Sequence, residues 1–480
     1  MASIKKNYLL NLTNTISTLL FPLVTFPYAS RVMLADGIGQ VNFFTSIVSY
    51  ISLFTCLGIP MYAIRETARV RDNREALSQT TMEILLLHTC LTILGYVTVI
   101  VICMTVPKVT VDIPLFLLLS TSIFFTAIGC EWFYQAIEDF KYITIRAIFI
   151  KSVCVLLLFL LVHTKEDLMY YAAYTVLGSV GNNVFNFFRL RKFIHLRDIC
   201  LHDLKPFRHL KPALHIFVLN LVISIYVHID TVMLGFMKEP AAVGYYAGAT
   251  RLTKLMLAIV SSLGTVMLPR LSNLIRIGKK EEFDRLSQKA IGFVIALSLP
   301  LFIGLFISAP MLIRLFCGPS YEPAILTLQI VSPILLFIAL SNVLGIQILY
   351  PQGRENTVIF CTLIGALLNF SLNLVLIPYC SQNGAAIATC IAEFGVTFMM
   401  LIVGKKYIPV SYSFKKYHNY VVGSIFMCVV CYGVMQIGMN DVLKLLFVVL
   451  VGMIVYGSYL YYQKDALMID IIRLLRKVAI

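Results

Sequence analysis

The chain has 480 residues, of which 59% are hydrophobic and only 13% are charged. Because a soluble domain carries about a quarter charged residues, this composition excludes an ordinary soluble protein. The net charge of +15 would suit nucleic acid, but the basic residues lie at the ends of apolar stretches, where lipid headgroups lie. We therefore predict membrane lipids, and no nucleic acid, as partners.

About fourteen apolar stretches of about 20 residues run from Tyr8 to Tyr462, and each can cross the ~30 Å core of a bilayer as a helix. The predicted spans are 8–30, 41–63, 80–105, 113–136, 147–163, 167–188, 213–236, 242–268, 290–313, 324–348, 357–378, 383–403, 419–438 and 442–462. The predicted fold class is therefore an all-α polytopic membrane protein. The single Trp132 is predicted to be an anchor at the membrane interface.

Lys and Arg fall almost entirely in every second connection between these spans. With Met1 in the cytoplasm, about 31 of the 39 Lys and Arg lie on the inner side, about 6 on the outer side and 2 within a span. This positive-inside pattern predicts a multi-pass protein with both termini in the cytoplasm. The longest basic connection contains His195, His202 and His209, which are predicted to be solvated.

The first twelve spans form two halves that resemble one another. The segment RVMLADGIGQVNFF (31–44) matches TVMLGFMKEPAAVGYYAGA (231–249) in motif order and in its position relative to the spans. An even number of spans in each half predicts a parallel repeat with its axis along the membrane normal, as in transporters. The predicted domains are an N-terminal six-helix lobe (1–190), a basic cytoplasmic connection (191–212), a C-terminal six-helix lobe (213–405), two additional helices (406–463) and a cytoplasmic amphipathic tail (464–480).

Three groups of motifs are more specific than the composition. The first group is N-Y-L-x-N near the start, followed by P-x-x-T-x-P-Y-x-S-R-V and L-G-I-x-x-Y-x-x-R-E; the others are HIDTVMLG at His228–Gly235 and FYQAIEDFKYITIR at Phe133–Arg146. To about residue 405, the chain resembles the bacterial Wzx-type O-antigen and capsule flippases of the multidrug/oligosaccharidyl-lipid/polysaccharide exporter superfamily.

This resemblance implies a flippase of the bacterial inner membrane. Such a protein translocates undecaprenyl-pyrophosphate-linked oligosaccharide by alternating access, for the synthesis of O-antigen, capsule or exopolysaccharide. The resemblance implies two six-helix bundles in a V shape, to which this chain adds two C-terminal helices, as in the lipid II flippase branch. It also implies the lipid-linked oligosaccharide, and the polymerase and chain-length components of the same pathway, as partners.

The alternative function is a cation-coupled exporter of drugs or metabolites with the same fold. That function would favour an acidic residue in span one, and span one has none. An enzyme is not expected, because the outer connections are only about 5–12 residues long and no Gly-rich phosphate loop, nucleophile elbow or zinc spacing stands out. No cofactor or metal is expected, and coupling to a proton or sodium ion stays open.

Arg251 and Lys254 are the leading candidates for a substrate site. They lie three residues apart within span eight and therefore on one helical face. Two cations would repel one another in a dry bundle, whereas a water-filled cleft that receives an anion accommodates them. Arg suits a pyrophosphate because its planar fork donates two hydrogen bonds at once. The alternative is a structural ion pair with Asp230 or Glu393.

Four further cations are candidates for contacting the pyrophosphate. Arg31 ends the first span on the outer side, and Arg65 ends the second on the inner side. Arg146 and Lys151 open span five from the inner side. The alternative for all four is interfacial anchoring, in which a long side chain extends to the headgroups.

Three acidic residues within or near the spans are candidates for ion coupling. Asp230 lies in span seven, Glu131 lies near the inner end of span four, and Glu393 lies in the middle of span twelve. An intramembrane acid can bind a coupling proton or sodium ion, and it can equally neutralise a neighbouring cation.

Overall fold

The computed structural model describes residues 4–194, 204–409, 417–465 and 467–469. These residues form helices, turns and short loops, and none of them lies in a β-strand. The predicted all-α class is therefore confirmed. Most of the predicted amphipathic tail, and also His195 and His202, lie outside the described residues.

The chain divides into two compact units, Met1–Gly244 and Tyr245–Ile480. The helices up to this division are α1 (Ile4–Cys56), α2 (Ile59–Val70), α3 (Arg74–Thr105), α4 (Pro107–Thr110), α5 (Ile113–Ile128), α6 (Glu131–Ala136), α7 (Phe140–Leu161), α8 (Leu168–Leu190) and α9 (Leu210–Met237). The division falls inside α10 (Pro240–Arg276), and α9 packs on α1 and α2 of the first unit. The predicted lobe boundary at residues 191–212 stays a prediction.

The second unit continues with a broken helical region before its last long helices. Its helices are α11 (Lys280–Phe316), α12 (Ala324–Val331), α13 (Ile334–Asn342), α14 (Glu355–Val403), α15 (His418–Met435) and α16 (Asp441–Tyr462). A π-helical turn, Val343–Leu349, follows α13 directly. Helices α15 and α16 pack on each other and on α11, where the Tyr456 hydroxyl donates a hydrogen bond of 2.8 Å to the Ala296 carbonyl. The two additional C-terminal helices are thus attached to the second unit.

Two of the long helices each contain one residue that leaves the helical backbone region. In α1 this residue is Leu34 (φ 55°, ψ −175°), and in α14 it is Ser381 (φ 52°, ψ −133°). Each break separates two predicted spans, so α1 and α14 each consist of two helical segments. Pro378 lies three residues before Ser381, and a proline inside a helix removes a backbone donor and favours such a break.

Within predicted spans two and four, the helix is interrupted near its basic end. Leu57 (φ 41°) and Gly58 (φ 73°) separate α1 from α2, and Cys130 (φ 43°) separates α5 from α6. A Cβ on Gly58 would lie 2.6 Å from the Ala213 carbonyl oxygen, so this turn requires glycine both for its backbone conformation and for close packing on α9. The short helices α2 and α6 pack against each other, which buries Trp132. The predicted interfacial role of Trp132 is therefore wrong.

The helices have the length and the surface of a multi-pass membrane protein. Among the described residues, nine helical stretches are long and apolar enough to cross a membrane, and the stretches Leu20–Val70 and Glu355–Val403 each contain two predicted spans. Helices α8, α9 and α10 are also of spanning length. Together these helices agree approximately with the fourteen predicted spans. Many large apolar side chains are exposed, as expected where lipid covers the surface.

Candidate functional site

A buried carboxylate joins three elements at the basic end of the first unit. The Glu83 side chain of α3 is fully buried, and its Oε2 lies 2.6 Å from Arg208 Nη2 and 2.8 Å from His209 Nε2. Its Oε1 accepts a hydrogen bond of 2.9 Å from the backbone N–H of Lys205. The Tyr62 hydroxyl of α2 lies 2.6 Å from His209 Nδ1. Glu83 therefore ties the segment before α9 to α2 and α3.

The predicted solvation of His209 is wrong. The residue is buried, and both of its ring nitrogens have hydrogen-bonding partners. Burial of a polar ring is costly when its nitrogens lack hydrogen bonds, and Tyr62 and Glu83 supply these bonds for His209.

An open cavity of about 600 Å³ lies beside this carboxylate cluster. Arg65 of α2 and Lys211 and His215 of α9 line it with their polar side chains, and all three residues are exposed. Its apolar lining consists of Pro212, Leu214 and Ile216. The cavity thus combines cations with apolar surface at one place. Of its three polar residues, only Arg65 is among the site residues predicted from the sequence.

Arg146 is buried and paired within the first unit. It is only 5% exposed, and its guanidinium lies 3.4 Å from Glu131 Oε2. It also donates a hydrogen bond to Asn186 Oδ1 and lies 5.1 Å from the centre of the Tyr142 ring. Arg189 stacks on that same ring at 3.8 Å. The structure therefore brings together two of the predicted site residues, Glu131 and Arg146, as an ion pair.

Lys151 contacts the first helical segment of α1, and Arg31 lies within that segment. Lys151 Nζ donates hydrogen bonds of 3.0 Å to Ser17 Oγ and 2.6 Å to Thr18 Oγ1, and so links α7 to α1. Arg31 is exposed, and its guanidinium donates a bond of 2.7 Å to the Pro27 carbonyl one turn earlier. Arg31 therefore lies between Pro27, which is inside the helix, and the backbone break at Leu34.

Arg251 and Lys254 lie on α10 in the second unit. Arg251 is half-buried and Lys254 is exposed, whereas the intervening Leu252 and Thr253 are buried. This pattern places the two cations on a more accessible face of α10 than Leu252 and Thr253. Glu393, on α14 of the same unit, is only 7% exposed.

Asp230 lies on α9 in the first unit and is 6% exposed. Two residues earlier on the same helix, the ring of His228 packs edge-on against Tyr50 of α1 at 5.9 Å. Asp230 and Glu393 are thus buried acids within long apolar helices, each in its own unit. Burial of a carboxylate in such a place is costly unless a cation, a proton or a bound ion compensates it.

Metal ligands do not cluster in the part of the chain that the structure describes: it contains no group of three or more His, Cys, Asp or Glu side chains suited to a metal. Cys431 of the C-x-x-C segment is buried, and its thiol contacts the Val448 carbonyl at 3.5 Å. Its surroundings are those of a small packing residue.

Comparison with known proteins places these features in a family. The model of a family described as "Polysaccharide biosynthesis protein" matches residues 4–275, and the MatE family model matches residues 216–375. A relative from Escherichia coli (strain K12), named "Putative O-antigen transporter", is 24% identical over 391 residues, which cover 80% of this chain and 93% of the relative.

Solved structures show the same fold. The lipid II flippase MurJ in an inward closed conformation superposes with a TM-score of 0.77 at 17% identity, over 96% of this chain and 100% of that chain. An inward-facing multidrug transporter of the MATE family superposes with a TM-score of 0.65 at 14% identity, over 81% of this chain and 94% of that chain. The family resemblance of the motifs is confirmed. Because the first family model matches more than half of this chain, the chain belongs to the polysaccharide biosynthesis protein family.

Proposed function

We propose that the protein is a flippase that moves a polyprenyl-pyrophosphate-linked oligosaccharide from the cytoplasmic to the outer leaflet of the bacterial inner membrane. The observation that carries this proposal is the family match over residues 4–275. The relative named as an O-antigen transporter, which this chain matches over 93% of its length, supports the same class of cargo. The product would serve the synthesis of O-antigen, capsule or exopolysaccharide.

The pyrophosphate is the part of this cargo that needs specific recognition by charge. We assign its binding to Arg251 and Lys254, whose placement on the accessible face of α10 suits a wet cleft that receives an anion. Arg31, which is exposed beside the break at Leu34 in the first unit, is a further candidate for contacting the pyrophosphate. Arg146 and Lys151 already bind side chains of the first unit, and we assign them to holding α7 in place.

Transport would follow alternating access between the two helical lobes. The polyprenyl tail stays in the lipid, the sugars pass through the wet cleft, and the lobes rock to release the pyrophosphate outside. Asp230 and Glu393, the two buried acids, are the candidates for binding a coupling proton or sodium ion. Glu131 is the third acid predicted for this role, and it forms an ion pair with Arg146.

Deleting the gene in the source bacterium is expected to trap completed lipid-linked repeat units on the inner side of the membrane. Surface polysaccharide should be lost at the same time, and restoring the gene should reverse both effects. The measurement is mass spectrometry of the extracted polyprenyl-linked oligosaccharides, alongside quantification of the surface polymer. The trapped units would also identify the glycan.

The MatE match over residues 216–375 favours one other function, the export of drugs or metabolites. For an exporter, the deletion strain would keep normal surface polymer and trap no intermediate, and it would become more sensitive to small toxic compounds. That pattern would contradict the flippase proposal.

A further inference from the structure

The cavity lined by Arg65, Lys211 and His215 has the composition of a site for an anion that carries an apolar tail. Its volume of about 600 Å³ lies within the range of small-molecule sites. Polar side chains supply one part of its wall and Pro212, Leu214 and Ile216 supply the other. It lies at the basic end of the first unit, on the face that the charge distribution predicts to be cytoplasmic.

The ion pairs near this cavity bear on its charge. In the part of the chain that the structure describes, neither Arg65 nor Lys211 forms an ion pair with a carboxylate. Glu66, next to Arg65 in the chain, pairs instead with Arg69 at 3.4 Å. Arg208, three residues before Lys211, is held by Glu83. Glu66 and Glu83 therefore bind cations outside the cavity lining.

The lining residues are held in position by buried contacts. Arg65 lies on α2, whose start at Gly58 packs directly on the backbone of α9. Its guanidinium lies 5.9 Å from the ring centre of Tyr62, and Tyr62 in turn hydrogen-bonds His209, which precedes α9. Lys211 and His215 are one turn apart on α9 and therefore share a face. The cavity is thus formed by two helices that the Glu83 cluster fixes together.

From this arrangement we propose that the cavity binds the phosphate group of a membrane lipid in the cytoplasmic leaflet. Arg65 and Lys211 donate charge-assisted hydrogen bonds to the phosphate oxygens, and the apolar wall contacts the glycerol or the first carbons of the tail. Two lipids carry this chemistry: an anionic phospholipid, and the pyrophosphate-linked lipid of the proposed function. The inference rests on the proposed function only for the second of these.

The test is native mass spectrometry of the full-length protein in detergent, titrated separately with dioleoylphosphatidylglycerol, undecaprenyl pyrophosphate and dioleoylglycerol, which lacks a phosphate. The unaltered protein is expected to bind at least one phosphate-bearing lipid more tightly than dioleoylglycerol. Arg65→Gln is expected to weaken that binding about tenfold, the loss typical of one charge-assisted hydrogen bond. Lys211→Gln, at an exposed position, should have a similar effect and serves if Arg65→Gln folds poorly.

Arg74→Gln is the matched control because Arg74 has the same charge, is exposed at the start of the neighbouring α3, does not line the cavity and forms no ion pair with a carboxylate among the described residues. It is expected to change lipid binding less than about twofold, as weak interactions between exposed charges predict. If Arg65→Gln weakens only the binding of phosphatidylglycerol, the ligand of the cavity is a phospholipid. If it weakens only the binding of undecaprenyl pyrophosphate, the ligand is the transported lipid.

Equal weakening by Arg65→Gln and Arg74→Gln would overturn the proposal. So would equal affinity of the unaltered protein for dioleoylglycerol and for both phosphate-bearing lipids. Because the assay measures binding without transport, its failure would leave the flippase proposal standing. A failure of transport would likewise leave phospholipid binding intact.

Discussion

Replacing Arg251 and Lys254 together by Ala is expected to reduce transport of the lipid-linked oligosaccharide by about a hundredfold or more. Each cation would contribute one charge-assisted interaction with the pyrophosphate, worth about 1.5–3 kcal/mol, so loss of both multiplies the effects. Since Arg251 is half-buried and Lys254 exposed, the protein should still fold and insert. The measurement is surface polysaccharide and trapped lipid-linked units in the deletion strain that expresses the variant.

Two variants control for this result. Arg276→Ala with Lys280→Ala removes the same charge from exposed positions near the end of α10 and the start of α11, and should leave transport unchanged. Arg251→Lys keeps the charge but loses the bidentate fork, and should retain only part of the activity. Full transport by the double Ala variant, at an unchanged level of protein in the membrane, would remove Arg251 and Lys254 from the proposed site.

Gly39→Ala and Gly244→Ala are each expected to destabilise the folded protein strongly. A Cβ on Gly39 would overlap the Pro240 carbonyl oxygen, and one on Gly244 would overlap the Ala35 carbonyl oxygen. Both obstacles are backbone atoms, which cannot rotate away as a side chain can. We therefore expect a loss of about 3 kcal/mol or more, at the upper end of the usual cost of overpacking.

The direction of the stability change on Gly→Ala substitution distinguishes a packing clash from an effect of helix propensity. Within a helix Ala is favoured over Gly by about 1 kcal/mol, so a site without a clash should gain stability. Gly304 of α11 is such a site, because among the described residues no atom outside its own stretch of helix lies within 4 Å of the place that a Cβ would take. Gly304→Ala should therefore leave the apparent melting temperature unchanged or slightly raised, as followed by size-exclusion chromatography after heating.

A fall in the melting temperature of Gly304→Ala as large as that of Gly39→Ala would contradict this explanation. Gly39 and Gly244 also matter for the repeat, because they belong to the matched segments 31–44 and 231–249. At these two glycines the matched segments approach one another closely enough for their backbones to touch. Small residues commonly allow such close approach of helices in membranes.

The helical spans were predictable because the membrane imposes one simple requirement. Every backbone group in lipid must bond within its own segment, so an apolar stretch of about 20 residues has little alternative to a helix. The breaks at Leu57–Gly58 and Cys130 were not predicted. Gly58, Pro60 and Gly129 beside them favour a turn, but the sequence does not specify the left-handed conformation of Leu57 and Cys130, which accompanies the packing of α2 and α6 against their neighbours.

The charged clusters were predictable only in part. Arg146 and Glu131 are both predicted from the sequence as functional ionisable residues, but their pairing depends on how α6 turns back toward α7. Glu83 is not among the predicted site residues, although it lies within predicted span three, where an acid requires a partner. Its partners Arg208 and His209 are more than a hundred residues away in the chain. Sequence spacing alone could not bring them together.

The most direct test of the flippase proposal is the leaflet position of the lipid-linked oligosaccharide in vesicles that contain the purified protein. Oligosaccharide extracted from the deletion strain is reconstituted in both leaflets, and a membrane-impermeant glycosidase is added outside. With the unaltered protein, we predict that the glycosidase cleaves nearly all of the lipid-linked oligosaccharide. With the Arg251→Ala, Lys254→Ala variant, we predict that it cleaves only the half that starts in the outer leaflet. Cleavage that stops at the outer half in both preparations would contradict the proposal.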